Sequence, residues 1–370
     1  MRSICILTFW NVPNYGAFLQ AYSLQRVLQN QFNNYDVKQI SYLNKKHFRA
    51  YYSVINTNFP YWVINPYFYK SILYKLFHYS ELKSTKKFVQ YYNAIPHTDP
   101  MTSKILRKRE YDIVILGSDI IWDYSIPFFG KDDLLFGNHI CAKRKIAYAP
   151  SFGMADIDKG VPAYVIDGLN NLNNISVRDE KSKEIIKRLT GKEVPIVLDP
   201  TLLWNFDLDN NVNKPNVEYS YIVVYGSFFA ENLIKEACSY CQANNLKLIC
   251  LSSLDDTFDW CDVVINQDQL TPFQWLGYFK YAEAVMTCTY HGLLFGLIFK
   301  KKIIFHMTEF IMNKAARIIS ALNLEDVIID KKGFREKINW DWDYSIIEHR
   351  INKLKEQSMN YLCEAINNEY

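Results

Sequence analysis

The stretch "CTYHGLLFGLIFKKKIIFH" puts His291 and Gly292 directly ahead of a long apolar run. An imidazole in the first turn of a helix can give or take a proton near neutral pH. The positive end of the helix dipole favours its neutral form. Lone histidines at helix starts are more often structural, so partners elsewhere in the chain must decide its role.

Arg178 lies in "SVRDEKS". A guanidinium binds carboxylate or phosphate through two parallel hydrogen bonds. Taken alone, its residue context favours an ion pair with neighbouring Asp179 or Glu180. Asp119 lies in "GSDIIW", after a strand-like run. There Gly117 permits close backbone approach, Ser118 can cap a helix, and the Asp119 carboxylate can accept a hydroxyl hydrogen bond; helix capping by Ser118 or Asp119 is the plainer alternative. In "NYGAFLQAYSLQ", Asn14 and Gly16 make a strand-to-helix turn whose amides suit an anion. A plain turn fits equally well. Ser151, in "KIAYAPSFG", and Gly292 complete the candidate binding residues.

Several chemistries have no support. The chain holds no G-x-G-x-x-G, Walker phosphate loop, H-E-x-x-H or G-x-S-x-G. Three D-x-D pairs, Asp156/Asp158, Asp207/Asp209 and Asp341/Asp343, sit in polar, loop-like contexts. The eight cysteines lack framework spacing, and Cys238/Cys241 form a C-x-x-C on a helix-like stretch with no second pair, which favours helix packing over a metal or redox site. Reduced thiols suit a cytoplasmic protein. No metal site is expected.

The elements that must position these residues are legible as two series. The first contains 4–9, 111–119, 145–153, 175–180 and 194–201; the second contains 221–227, 246–253, 261–267, 284–292 and 301–307. Each is a short β-rich apolar run leading into a helix-like stretch. That is the pattern of parallel sheets covered by helices. In such sheets ligands bind beyond the carboxyl ends of the strands, where every candidate above falls.

Residues 1–205 therefore read as an N-terminal α/β domain with an aromatic, basic insertion over about 42–100. Residues 218–335 read as a C-terminal α/β domain, with the polar stretch 204–220 as linker. Residues 336–370 read as a helical tail that can cross back to the first domain. A length of 370 residues fits two cores, and 49% hydrophobic with 22% charged residues fits a soluble globular protein. A net charge of +3 does not call for nucleic acid. The opening segment is too short for a signal core, and no apolar run reaches transmembrane length.

The order and spacing of "NYGAFLQAYSLQ", "YDIVILGSDIIW", "KIAYAPSFG", "SVRDEKS", "VPIVLDPTLLW" and the His291 stretch resemble the polysaccharide pyruvyl transferase family. The resemblance covers most of residues 3–307. It implies two Rossmann-like domains facing across a cleft, as in GT-B glycosyltransferases. It further implies transfer of a pyruvyl group from phosphoenolpyruvate to two sugar hydroxyls, forming a cyclic ketal with no other cofactor. The family's serine-phenylalanine-histidine-glycine motif reads Thr289-Tyr290-His291-Gly292 here, so its flank departs from the pattern. The family's histidine maps to His291 as candidate acid, and its donor-binding arginine maps to Arg178. Asp119 is the candidate for hydroxyl activation.

Two other readings stay open. One is a GT-B glycosyltransferase using a nucleotide sugar; the other is a non-catalytic glycan-binding protein. The segment 42–79 contains five basic residues, Lys45, Lys46, Arg49, Lys70 and Lys75, and no acid. It reads either as core packing or as a platform for a sugar acceptor, including a lipid-linked one, at the inner face of the membrane.

Overall fold

The structure, a computed structural model, describes residues 1–52, 66, 69–70, 72–73, 91–129, 131–252, 258–266, 269–307, 309–328 and 332–367. The chain divides into two compact units. One comprises Met1–Trp204 together with the chain from Leu354, and the other comprises Asn205–Lys353.

The first unit is built on a five-stranded parallel sheet in the order β2-β1-β3-β4-β5. Its strands are β1 (Arg2–Leu7), β2 (Tyr35–Gln39), β3 (Glu110–Leu116), β4 (Cys141–Ala147) and β5 (Asn174–Ile175). The central strands β1 and β3 carry apolar runs because both faces of a parallel sheet are covered. Ile4, Ile6, Val114, Ile115 and Ile146 are all fully buried. The helices needed below are α1 (Tyr15–Gln31), α2 (Lys45–Tyr52) and α3 (Glu180–Thr190).

Two strand assignments differ from the sequence pattern. "YDVKQ" (35–39) joins the sheet as its edge strand, half exposed, which is why it carries polar residues. "VPIVLDPT" (194–201) is apolar but stays out of the sheet. It makes one bridge, Val177 to Ile196, and the prolines at 195 and 200 remove two backbone donors that a ladder would need.

The second unit repeats the design with the order β10-β9-β6-β7-β8, all parallel. The strands are β6 (Tyr221–Tyr225), β7 (Lys247–Ser252), β8 (Val263–Asn266), β9 (Ala284–Thr287) and β10 (Lys302–Phe305). Helix α4 (Tyr290–Ile298) follows β9. It is apolar almost all round because it is buried almost all round. The stretch 205–220 belongs to this unit: Phe206 is fully buried, 5.6 Å from Phe295 of α4.

The last helix, α5 (Tyr344–Asn367), belongs to the second unit in its first part and to the first unit from Leu354 on. The later part is tied down by polar contacts. The Leu198 amide donates to Ser358 Oγ at 2.9 Å, Tyr361 Oη donates to the Ala147 carbonyl at 2.9 Å, and buried Arg144 donates to the Ala365 carbonyl at 3.1 Å. The arginine thereby satisfies a carbonyl in the last turn of the helix, where cations are favoured.

The described part of the aromatic insertion buries Tyr42, His47, Tyr92, Ile95 and Thr98 and leaves its other described residues half-buried or exposed. Helix α2 is capped by Asn44, whose Oδ1 accepts from the His47 amide at 2.9 Å. It buries His47 against Phe9, Phe129, Tyr51 and Phe128 at ring distances of 4.6 to 5.6 Å. Lys45, Lys46 and Phe48 face solvent. Lys75 and most of the remaining insertion lie outside the described residues.

Candidate functional site

In the first unit the candidates gather at the carboxyl end of the sheet. β1 and β3 are neighbours, and the residues just past them are joined: Thr8 Oγ1 donates to the Ser118 carbonyl at 2.8 Å, and Gln20 of α1 donates to Thr8 Oγ1 at 3.2 Å. Asn14 caps α1 by accepting from the Ala17 amide at 3.0 Å, and Gly16 is buried in the first turn. Both therefore have definite structural roles at this turn. Gly117 adopts φ +113°, and a Cβ there would lie 2.3 Å from the Tyr148 carbonyl oxygen, so only glycine fits. Ser118 is fully buried and donates to the Ala149 carbonyl at 3.0 Å. It neither caps a helix nor faces solvent. Ser151 is also buried; its amide donates to the Asp119 carbonyl at 2.8 Å, and its hydroxyl accepts from the Gly153 amide at 3.1 Å.

Asp119 and Arg178 meet. Arg178 Nη2 lies 3.4 Å from Asp119 Oδ1, and Arg178 Nη1 donates to Asp199 Oδ2 at 2.8 Å. The arginine and Asp199 side chains are almost entirely enclosed, while Asp119 keeps 15% of its side chain exposed. The ion pairs expected with Asp179 or Glu180 are replaced by these, because Asp179 instead caps α3 through the Ser182 amide at 2.7 Å. Asp199 is further held by the Thr201 amide and hydroxyl at 3.0 and 2.6 Å. One guanidinium is thus gripped by two carboxylates. That group carries one more negative than positive formal charge, and its most exposed member is Asp119. Such a centre suits a hydroxyl donor.

Sequence reasoning missed His47. It is 1% exposed, and burial pushes its imidazole down to about 3, against a smaller opposing effect of the Asp119 charge. Tyr51 is pushed up to about 12 by burial first and by Asp119 second. Both rings of α2 therefore lie within electrostatic reach of Asp119. The only signal in the sequence was a histidine inside an aromatic segment.

In the second unit Thr287 ends β9 and Thr289 caps α4, accepting from the Gly292 amide at 3.0 Å. The two hydroxyls are 3.1 Å apart, and Thr287 Oγ1 donates to the Tyr225 carbonyl at 2.6 Å. A Cβ on Gly292 would fall 2.1 Å from Thr287 Oγ1, so glycine at this position lets the hydroxyl pair sit under the first turn. His291 stands in that turn, half buried, with its ring against Tyr290 at 5.5 Å. The two strands nearest β9 contribute Phe228 after β6 and His306 after β10.

The D-x-D pairs have turn-forming roles: Asp156, Asp209 and Asp343 each accept from a backbone amide two residues on. Cys241 of the C-x-x-C is buried, and burial pushes its thiol up to about 12, which leaves it protonated and inert. Among the described residues no group of three or more His, Cys, Asp or Glu is arranged to hold a metal ion. Among them, too, no helix is long and apolar enough to cross a membrane.

The fold is two five-stranded parallel sheets with candidate residues at their carboxyl ends, and comparison with solved structures finds similar chains. S. aureus MnaA bound to UDP aligns with a TM-score of 0.52 and 12% identity, covering 99% of this chain and 97% of that one. The UDP-GlcNAc 2-epimerase of Methanocaldococcus jannaschii aligns at 0.45 and 11%, covering 95% and 100%. E. coli heptosyltransferase WaaC with ADP aligns at 0.38 and 13%, covering 82% and 87%. The fold is GT-B-like. A family model for polysaccharide pyruvyl transferases matches residues 14–305. The chain belongs to that family, and its enzymes are transferases. No curated protein matches it in sequence.

Proposed function

We propose that this protein transfers a pyruvyl group from phosphoenolpyruvate to two hydroxyls of a sugar, in a polysaccharide or its lipid-linked precursor, and forms a cyclic ketal. Membership of the family over residues 14–305 carries this reading. His291 donates a proton to the methylene carbon of phosphoenolpyruvate, which makes the adjacent carbon electrophilic. A sugar hydroxyl forms a bond to that carbon. A second hydroxyl then displaces the phosphate, which leaves with the second hydroxyl's proton. The first hydroxyl's proton balances the one placed on the methyl group.

Asp119 orients and accepts from an attacking hydroxyl, a task that fits its partly exposed carboxylate. Arg178 was expected to bind the donor; its two carboxylate partners favour a different task, fixing Asp119 in place. The donor's negative charge is assigned to the amino end of α4, where amides and helix dipole favour anions. The exposed Lys45, Lys46 and Phe48 on α2 suit an anionic membrane surface carrying a lipid-linked acceptor.

The test is incubation with phosphoenolpyruvate and candidate glycans, followed by mass detection of the pyruvyl group. A glycan modified only when phosphoenolpyruvate is present is the expected result. Consumption of a nucleotide sugar instead would overturn the reading.

A further inference from the structure

His306 was not among the residues singled out by pattern, and Phe228 belongs to no core. Their surroundings give them a shared position. The ends of three adjacent strands, β6, β9 and β10, are stitched together at this point. Thr287 Oγ1 of β9 donates to the Tyr225 carbonyl of β6, and the His306 amide donates to the Thr287 carbonyl at 2.8 Å. From the outer two of these strand ends, Phe228 and His306 bring their rings to 5.5 Å of each other, tilted by 53°. The middle strand, β9, leads directly into Thr289 and His291.

The Phe228 ring is 62% exposed. A single exposed aromatic is ordinary on a protein surface. This one has His306 beside it, itself held against Phe229 at 6.2 Å, and keeps most of its surface exposed. Burial first, and the charge of Lys337 second, push the His306 imidazole below its ordinary value. That favours the neutral form, in which one nitrogen donates and one accepts. A flat apolar ring beside a neutral imidazole matches the two faces of a pyranose: C–H groups that meet an aromatic face, and rim hydroxyls that both donate and accept.

We propose that Phe228 and His306 form a sugar subsite, in which a pyranose ring stacks on the open face of Phe228 and one of its hydroxyls bonds to His306. The assignment of that pyranose as the acceptor rests on the pyruvyl-transfer reading above; the binding of a sugar ring does not.

Two measurements separate these. Saturation-transfer difference NMR on the whole protein with methyl hexopyranosides of gluco, galacto and manno configuration needs no donor and no turnover. At least one should show saturation of its ring C–H protons. The signal should vanish in Phe228→Ala, survive in Phe228→Trp and fall in His306→Phe. In the transfer assay, Phe228→Ala should raise the acceptor KM about tenfold, equivalent to ~1.4 kcal/mol, with the phosphoenolpyruvate KM unchanged. Absence of saturation with all three glycosides, or an undiminished signal in Phe228→Ala, overturns the subsite. Saturation that depends on Phe228 without any pyruvyl transfer upholds the subsite and removes the acceptor assignment.

Discussion

Arg178 Nη1 lies 2.8 Å from Asp199 Oδ2, with both side chains withdrawn from water. A buried pair of this kind adds little net stability over an apolar replacement of both residues, but breaking it leaves one charge stranded. Arg178→Ala should therefore destabilise the protein by about 3–5 kcal/mol, read as a lower urea midpoint. Arg178→Lys should recover only part of this, because an ammonium cannot span two carboxylates as the guanidinium does. If Arg178→Ala keeps wild-type stability and loses only donor affinity, the arginine is a substrate ligand and the orienting role fails.

In the proposed mechanism His291, half buried in the first turn of α4, is the proton donor. His291→Gln should lower turnover by about 10²–10⁴-fold. The thermal shift given by phosphoenolpyruvate should persist, since proton transfer costs rate more than affinity. Wild-type turnover in this variant would remove the histidine from the mechanism.

These two residues show what the sequence could and could not yield. Each lay at the end of an apolar run, so its position at the carboxyl edge of a sheet followed from strand pattern alone. The partners of Arg178 did not follow. Asp119 and Asp199 are 59 and 21 residues away, and only the chain's crossovers bring the ends of β3 and β5 together with the 194–201 run. The edge strand 35–39 was masked by its polar exposed side, and the proline-bounded run 194–201 imitated a strand in composition. His47 was illegible for a related reason: burial comes from Phe9 and Phe129, which belong to other elements.

His47 makes a pH dependence measurable. Its imidazole is pushed down to about 3 in the folded protein by burial, with Asp119 opposing, while an unfolded histidine titrates near 6.5. Between those values the unfolded chain binds the extra proton, so stability falls as pH falls. The slope is about 1.4 kcal/mol for each pH unit from this group. His47→Phe fits the ring cluster and removes a buried imidazole. Urea midpoints measured from pH 7 to pH 4 should show a shallower decline in the variant than in the wild type. Parallel declines would mean that His47 does not titrate as described.

The exposed face of α2 gives the last test. Lys45, Lys46 and Arg49 lie within one turn and a half of helix, and Phe48 between them is 51% exposed. A basic residue near an anionic leaflet contributes about 1 kcal/mol, screened beyond roughly 10 Å in 0.1 M salt. Replacing all three with Gln should weaken binding to vesicles of mixed phosphatidylserine and phosphatidylcholine by up to about 3 kcal/mol, or roughly two orders of magnitude at low salt. The loss should shrink as salt is added, because the attraction is electrostatic. The buried side of α2, carrying His47, is untouched by the triple change, so stability and phosphoenolpyruvate affinity should hold. Flotation assays that show no vesicle binding by the wild type, or equal binding by the variant, would leave α2 as packing alone.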